Sequence, residues 1–291
     1  MYRRQFVAVI AAAPLAGADV SWGAPVLDIH LHPRREGASE LDHLEGCGVK
    51  MAVLLPGAGS EERAKTVTTE HPKRFVRFTN FDVRKPDAAE HLRGGLIGGA
   101  IGMGELKYPV QVDGPEMRRV YEIAAEFNVP VLLHFEEGGF NSGIGRLPDL
   151  LKTYPKTTFV GHANSWWANI SADSLKEAGY PAGRVKPGGL TDRVLADYPN
   201  IYGDLSANSG RNGLARDLDF TAGFLERHAN KLMFGSDCAC SDGRGIGQSN
   251  RAFPGKCFAR ETLTLLKRHA SPETFQKIAW GNAVKLYRLH V

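Results

Sequence analysis

The stretch Leu27–Pro33, LDIHLHP, sets two histidines one residue apart inside an apolar run. In a β-strand, residues i and i+2 lie on one face, about 6.5–7 Å apart along the chain. The spacing therefore predicts that His30 and His32 face together, with Leu27, Ile29 and Leu31 turned the other way. Glu105, His134, His162 and Asp237 recur near the ends of four later apolar runs. Buried imidazoles and carboxylates aimed at one cavity carry a desolvation cost, which a shared divalent cation offsets. A mixture of imidazole and carboxylate suits Zn, Mn, Fe or Ni, whereas Ca and Mg sites are built from oxygens. A zinc held by three or four protein ligands keeps a position for water and lowers its pKa to about 7. Asp237, beside such a cation, is placed to hold or accept the proton of that water while a substrate carbonyl is polarised.

Eight short apolar runs position these residues, each followed by a stretch of helical periodicity: 26–32, 50–57, 75–82, 101–108, 129–136, 157–164, 200–207 and 231–238. This alternation is the mark of βα units around a parallel sheet. One of the intervening stretches, Glu116 to Phe127, repeats Val120, Ile123, Ala124 and Phe127 at helical spacing. Eight units predict an α/β protein with one closed (β/α)8 TIM barrel, which ordinarily needs roughly 250 residues. The units following runs six and eight are interrupted by long Gly- and Pro-rich segments, Ser165 to Gly189 and Ser241 to Lys256. Both leave the ends of the strands at which barrel enzymes build their sites, so they are expected as substrate walls or lids. A doubly wound sheet would carry a Gly-rich phosphate turn after the first strand, and Leu31 to Arg35 has none.

The first 24 residues differ from the rest. Arg3 and Arg4 precede an apolar Phe6 to Ala18, with small residues at Ala18 and Ala24 where cleavage can occur. RRQF followed by Val7 and Ala8 is similar to the twin-arginine export motif, and the apolar run falls short of the roughly 20 residues of a bilayer span. The expected organisation is an export signal at 1–24 and a single barrel at 25–291, located in the periplasm or secreted, without a stable membrane span. The net charge of +4 is spread along the chain rather than gathered into a run, so nucleic acid is not an expected partner. Four cysteines, Cys47, Cys238, Cys240 and Cys257, are poorly spaced for a disulfide framework and are expected as free thiols. The Cys-Ala-Cys pair is not a CxxC zinc motif, and only a Cys240–Cys257 bridge is geometrically open.

Six strings together resemble the amidohydrolase superfamily, in particular its amidohydrolase-2 branch: DIHLH on strand one, PVLLH on five, FVGHAN on six, NIYGDLS on seven, FGSD on eight and the closing GNAVKLYRL. They span nearly everything after the export segment. The resemblance implies a distorted (β/α)8 barrel with metal at His30, His32, His134 and Asp237, and with His162 as a further ligand or a catalytic imidazole. The branch holds both hydrolases and non-oxidative decarboxylases. GELKYP on strand four leans toward hydrolysis, because Glu105 resembles the bridging carboxylate of two-metal members such as the TatD-like hydrolases. FGSD and GHAN depart from those members, which carry ETD and HCF, and on these two strings one ion is expected rather than two.

The expected function is a metal-dependent hydrolase acting on a small carbonyl substrate, a lactone, amide or ester, with a metal-activated water, Asp237 as general base and zinc as the foremost metal. A decarboxylase of the same branch is the alternative, and an exported metal-binding barrel without catalysis is the alternative of another class. Trp166 and Trp167, directly after the strand-six histidine, are expected to line the pocket. Arg211 is placed to clamp a substrate carboxylate, and Asp204 to support the site from behind a ligand. Lys107 shares the face of Glu105, where the plain expectation is a pair with that carboxylate or a side chain reaching to the rim. The remaining histidines, His43, His71, His91, His228, His269 and His290, are expected as ordinary surface residues.

Overall fold

The computed structural model describes residues 20–34, 39–174, 179–248 and 253–291. Most of the segment read as an export signal lies outside them. Among the described residues eight parallel strands form, one in each expected run: β1 (Leu27–Leu31), β2 (Met51–Leu54), β3 (Phe75–Arg77), β4 (Met103–Leu106), β5 (Pro130–His134), β6 (Thr158–His162), β7 (Ile201–Asp204) and β8 (Leu232–Met233). Helices α1 (Glu40–Cys47), α2 (Glu61–Glu70), α3 (Ala88–Ile97), α4 (Pro115–Phe127) and α5 (Leu147–Thr153) follow the first five strands. Helices α6 (Asn164–Ala168) and α7 (Leu190–Asp197) follow β6, and α8 (Ala207–Ala215) and α9 (Leu218–Arg227) follow β7. The chain closes with α10 (Phe258–His269), α11 (Pro272–Gln276) and α12 (Asn282–Tyr287). Helix α4 shows why the sequence folds this way locally. Pro115 opens it, where a missing N–H costs nothing, and Asn128 ends it in a left-handed conformation.

The strands lie in sequence order as a three-stranded sheet, β1–β2–β3, and a five-stranded sheet, β4 to β8. Backbone hydrogen bonds stitch both seams. Thr79 pairs with Gly102 and Gly104 between the ends of β3 and β4, and Ile29 N–H donates to Phe234 O at 3.0 Å between β1 and β8. The result is the (β/α)8 barrel expected of eight βα units. Two core clusters follow from the alternation of faces. The larger lies between strands and helices, with Ala52, Leu54, Val131, Leu133 and Phe159 turned outward. The smaller fills the barrel interior with Leu27, Ile29, Val53, Leu132, Val160 and Met233, and Ala283 and Tyr287 of α12 join it. Asn282 anchors that helix by donating to the carbonyls of Ala229 and Leu232, each at 2.7 Å.

The interior cluster corrects one detail of strand one. Ile29 belongs to the inner layer together with Leu27, whereas Leu31 faces the helices. The register between β1 and β2 shifts between Asp28 and Leu31, an irregularity of the β-bulge type. The bulge lets His30 turn into the barrel directly after Ile29. A matching shift lies between Met103 and Leu106 on β4, where Glu105 turns inward. Among the described residues, no helix is long and apolar enough to cross a membrane.

Candidate metal centre

At the C-terminal ends of the strands, the Glu105 carboxylate stands among four imidazoles. Its Oε1 is hydrogen-bonded to His134 Nδ1 and lies 3.4 Å from His162 Nε2; its Oε2 lies 3.5 Å from His32 Nε2 and 3.8 Å from His30 Nε2. His134 and His162 are direct neighbours across the β5–β6 ladder. Asp237 follows β8, with Oδ1 3.4 Å from His32 Nε2, and its own N–H donates to the His30 carbonyl at 2.8 Å. Of the two carboxylates here Asp237 is the more open, its side chain 32% exposed against 9% for Glu105.

Three of the four imidazoles are oriented from behind; the fourth, His134, is held between Glu105 at Nδ1 and Glu136, whose Oε2 lies 3.3 Å from its Nε2. His30 Nδ1 is 2.6 Å from Asp204 Oδ2, and His32 Nδ1 is 2.8 Å from the Leu55 carbonyl. With Nδ1–H donated to an oxygen, the lone pair resides on Nε2, which on both residues faces Glu105. His162 Nδ1 is 2.9 Å from Ser206 Oγ, and that hydroxyl also donates to Asp204 Oδ2 at 2.8 Å. Asp204 and Ser206 thus form one buried support beneath two of the histidines. The expected supporting role of Asp204 corresponds to this position. Ser206 was missed in the sequence, where a serine at a strand end carries no signal of its own.

The electrostatics follow from burial and these contacts. Burial disfavours charge on His30, but Asp204, with Asp237 and Glu105 behind it, outweighs this and lifts its pKa to about 10. His32 is likewise raised, against its burial, chiefly by its hydrogen bond to Glu105. Burial works against the charge of Glu105 as well, yet hydrogen bonds from His134 and His32 hold the carboxylate well below its ordinary range. His162 goes the other way, since burial and the neighbouring His30 keep it neutral.

The residues present fit a divalent cation. His30 Nε2 is fully buried and has no hydrogen-bond partner, so the protein alone leaves that nitrogen unsatisfied. Nitrogen and carboxylate donors suit a transition metal. The ligand atoms group into three overlapping triads, each within 4.8 Å: His30, His32 and Glu105; Glu105, His134 and His162; His30, His162 and Asp237. Each of the six expected ligands falls in at least one of these triads. His134, however, shares no triad with His30, His32 or Asp237, so those four do not form one compact set; Glu105 connects the two halves.

Backbone strain concentrates at the same rim. Ala163 (φ 79°), Ala207 (φ 61°) and Asp237 (φ 48°) follow β6, β7 and β8 in the left-handed half of conformational space. Such residues cost roughly 1–3 kcal/mol each and persist where surrounding structure holds them, commonly at functional sites.

Several peripheral expectations are corrected. Trp166 and Trp167 are fully buried in the outer core rather than lining a pocket. The Trp166 ring underlies Gly161, where an added Cβ would meet it at 2.5 Å, and Trp167 donates to the Asp204 carbonyl at 3.0 Å. Of the two places expected for Lys107, it does not take the pair with Glu105; it is exposed, with Nζ 5.3 Å from the centre of the Phe140 ring. Arg211 lies on α8 rather than in a loop, 4.4 Å over Phe253 and 3.8 Å from Glu261. His43 and His228 are buried, His228 against Asp192 at 2.6 Å. A cavity of about 1060 Å³ opens over the ends of β3 and β4, lined among others by Asn80, Lys107, Tyr108 and Phe140. Phe140 also packs edge-on against His134, at 5.7 Å between ring centres.

A family model for amidohydrolases of the amidohydrolase-2 type matches residues 36–289. The chain belongs to the amidohydrolase-2 family. No curated protein matches it by sequence. Among solved structures it is similar to an uncharacterised TIM-barrel protein from Bordetella bronchiseptica, at 15% identity over 91% of this chain and 98% of that one, with a TM-score of 0.64. It is also similar to the manganese-complexed 5-carboxyvanillate decarboxylase of Novosphingobium aromaticivorans, at 12% identity, 92% and 97% coverage and TM-score 0.60. Dihydroorotase from Campylobacter jejuni matches at 18% identity, covering 91% of this chain and 84% of its own, with TM-score 0.55. This amidohydrolase-2 chain is accordingly an enzyme of the family, with a TIM-barrel fold and a candidate His/Glu metal centre, and the alternative of a barrel without catalysis is set aside.

Proposed function

We propose that the protein is a metal-dependent hydrolase of small carbonyl compounds, a lactone, ester or amide. The observation that carries this reading is the position of Glu105, turned inward between the His30/His32 and His134/His162 pairs. A divalent cation, with zinc foremost, would supply an electrophile that polarises a carbonyl oxygen and acidifies water. His30 and His32 would hold it through Nε2, with donors also available from Glu105, His134, His162 and Asp237. Because two triads share Glu105, these residues would have donors for a second ion beside the single one expected from the FGSD and GHAN strings, with Glu105 common to both donor sets. Asp237, half-buried at the mouth, takes a proton from the attacking water and returns it to the leaving group. His162, kept neutral, orients substrate or serves as a ligand. Arg211, beside Phe253 and Glu261, is kept as the candidate partner of a substrate carboxylate. The protein is further proposed to be exported through the twin-arginine segment.

The test strips the purified protein with chelator, reloads it with Zn or Mn, and follows a panel of lactones, esters and amides alongside release of carbon dioxide from aromatic carboxylates. Metal-restored hydrolysis, with one ion fewer bound by Glu105→Ala than by the parent, is the expected result. Metal-restored decarboxylation without hydrolysis would replace this reading with the decarboxylase one.

A further inference from the structure

Behind the rim, on the far side of the segment that carries Asp237, lies a second cluster of ligand-type side chains. Cys238 and Cys240 follow β8, Cys257 stands immediately before α10, and His43 projects from α1. Cys238 Sγ is 3.3 Å from Cys240 Sγ and 3.9 Å from Cys257 Sγ, and Cys240 Sγ is 3.6 Å from His43 Nδ1. One ligand atom from each of the four residues lies within 4.8 Å of the others. All four residues are buried, and the three thiols are free.

These spacings are close to those of a zinc-binding tetrahedron. With Zn–S near 2.3 Å, tetrahedral angles put sulfurs about 3.8 Å apart; Cys238 and Cys257 stand at that separation, and Cys238 and Cys240, at 3.3 Å, are drawn closer. Three thiols packed only for their apolar character have no reason to converge with a histidine at those separations. His43 Nδ1 donates to the Cys240 carbonyl at 2.9 Å, which leaves the lone pair on Nε2, buried and without a hydrogen-bond partner, so Nε2 is the nitrogen available to a metal. Cys238 Sγ accepts the Phe258 N–H at 3.3 Å from the first turn of α10, the positive end of a 12-residue helix, and such N–H contacts favour thiolate over thiol.

We propose that Cys238, Cys240, Cys257 and His43 bind a structural zinc ion, separate from the catalytic centre. The thiols bind as thiolates, releasing their protons on coordination, and the imidazole binds neutral. The donor set is closed, with no position left for substrate. Its work is mechanical: it fastens the segment after β8 to α1 and to the start of α10. That junction is already close. An added Cβ at Gly46 of α1 would meet the Asp242 carbonyl carbon at 2.7 Å, and Arg260 Nε donates to the Gly46 carbonyl at 2.9 Å. Asp237 is the residue directly before Cys238, so the ion holds one end of the catalytic segment.

The motif is hidden in the sequence because CxC is only half of a site. The third thiol lies 19 residues beyond Cys238, and the histidine lies 197 residues before Cys240 in a helix after the first strand.

The test uses the full chain and does not depend on the proposed reaction. A mercurial thiol reagent is titrated into protein whose accessible metal has been removed by a mild chelator, and released zinc is followed with a chromophoric indicator. Release of one further ion per chain, in step with modification of three thiols, is expected. Protein reconstituted with Co²⁺ should show intense near-ultraviolet sulfur-to-cobalt absorption, which nitrogen and carboxylate ligands of the catalytic centre do not give. Cys257→Ser should lose that band while keeping weak visible cobalt bands from the other centre, which also reports that it is folded. If thiols react without metal release and Co²⁺ gives no charge-transfer band, or if alkylation and mass analysis find a Cys238–Cys240 disulfide in the native protein, the site is refuted.

Discussion

Asp204 Oδ2 and His30 Nδ1 lie 2.6 Å apart, both residues fully buried, and this contact decides which nitrogen of His30 faces the centre. Asp204→Asn removes the charge while nearly conserving shape. Outer partners of this kind typically contribute about 10–100-fold in metal affinity. Chelator competition should show a loss in that range, with near-native circular dichroism.

Asp237→Asn is expected to keep the fold, because asparagine tolerates the left-handed conformation that residue 237 adopts at φ 48°. Its amide cannot accept a proton, so kcat should fall by about 10²–10⁴. Steady-state kinetics at saturating metal check this, and activity above about a third of the parent's would remove Asp237 from proton transfer.

The pH dependence of the metal-free protein follows from His30, whose pKa rises from 6.5 to about 10 on folding. The folded state therefore binds the proton more tightly than the unfolded one, and this stabilisation is fully present below pH 6.5 and disappears as pH rises through about 10. A metal must displace the same proton, so its apparent affinity changes in the opposite direction, by up to about tenfold per pH unit for each proton released. Thermal melts of stripped protein between pH 6 and 9, paired with zinc titrations, should show Tm falling as affinity rises. Parallel trends would contradict the assignment.

Gly235→Ala tests how closely the β8 segment approaches the support beneath the histidines. A Cβ there would lie 2.3 Å from Asp204 Oδ1 and 2.9 Å from His30 Cβ, so something must shift. Overpacking of a close-packed site costs about 1–3 kcal/mol. The expected outcome is a lower Tm together with weakened metal retention, and an unchanged melt would mean that the segment yields freely.

Export is tested by replacing Arg3 and Arg4 with lysine, which should retain the protein in the cytoplasm on fractionation. Unchanged location would mean that the segment is not an export signal.

The eight βα units and the six inward polar residues were legible in the chain because strand and helix periodicities are local, and because polar residues at the ends of apolar runs stand out against them. Sequence alone thus determined the alternating βα fold and which polar side chains gather at the rim. It could not assign Trp166 and Trp167 to the core, since an aromatic after a strand packs inward or outward according to what lies beneath it, here the space left by Gly161. Nor could it seat Glu105 between two histidine pairs, because an irregular register on β4 sets that direction and strand alternation does not announce it. Ser206 and His43 gained their meaning only from partners 44 and 197 residues distant, His162 and Cys240. The first contact is created by the pairing of β6 with β7 and the second by the approach of the segment after β8 to α1, and no local spacing encodes either.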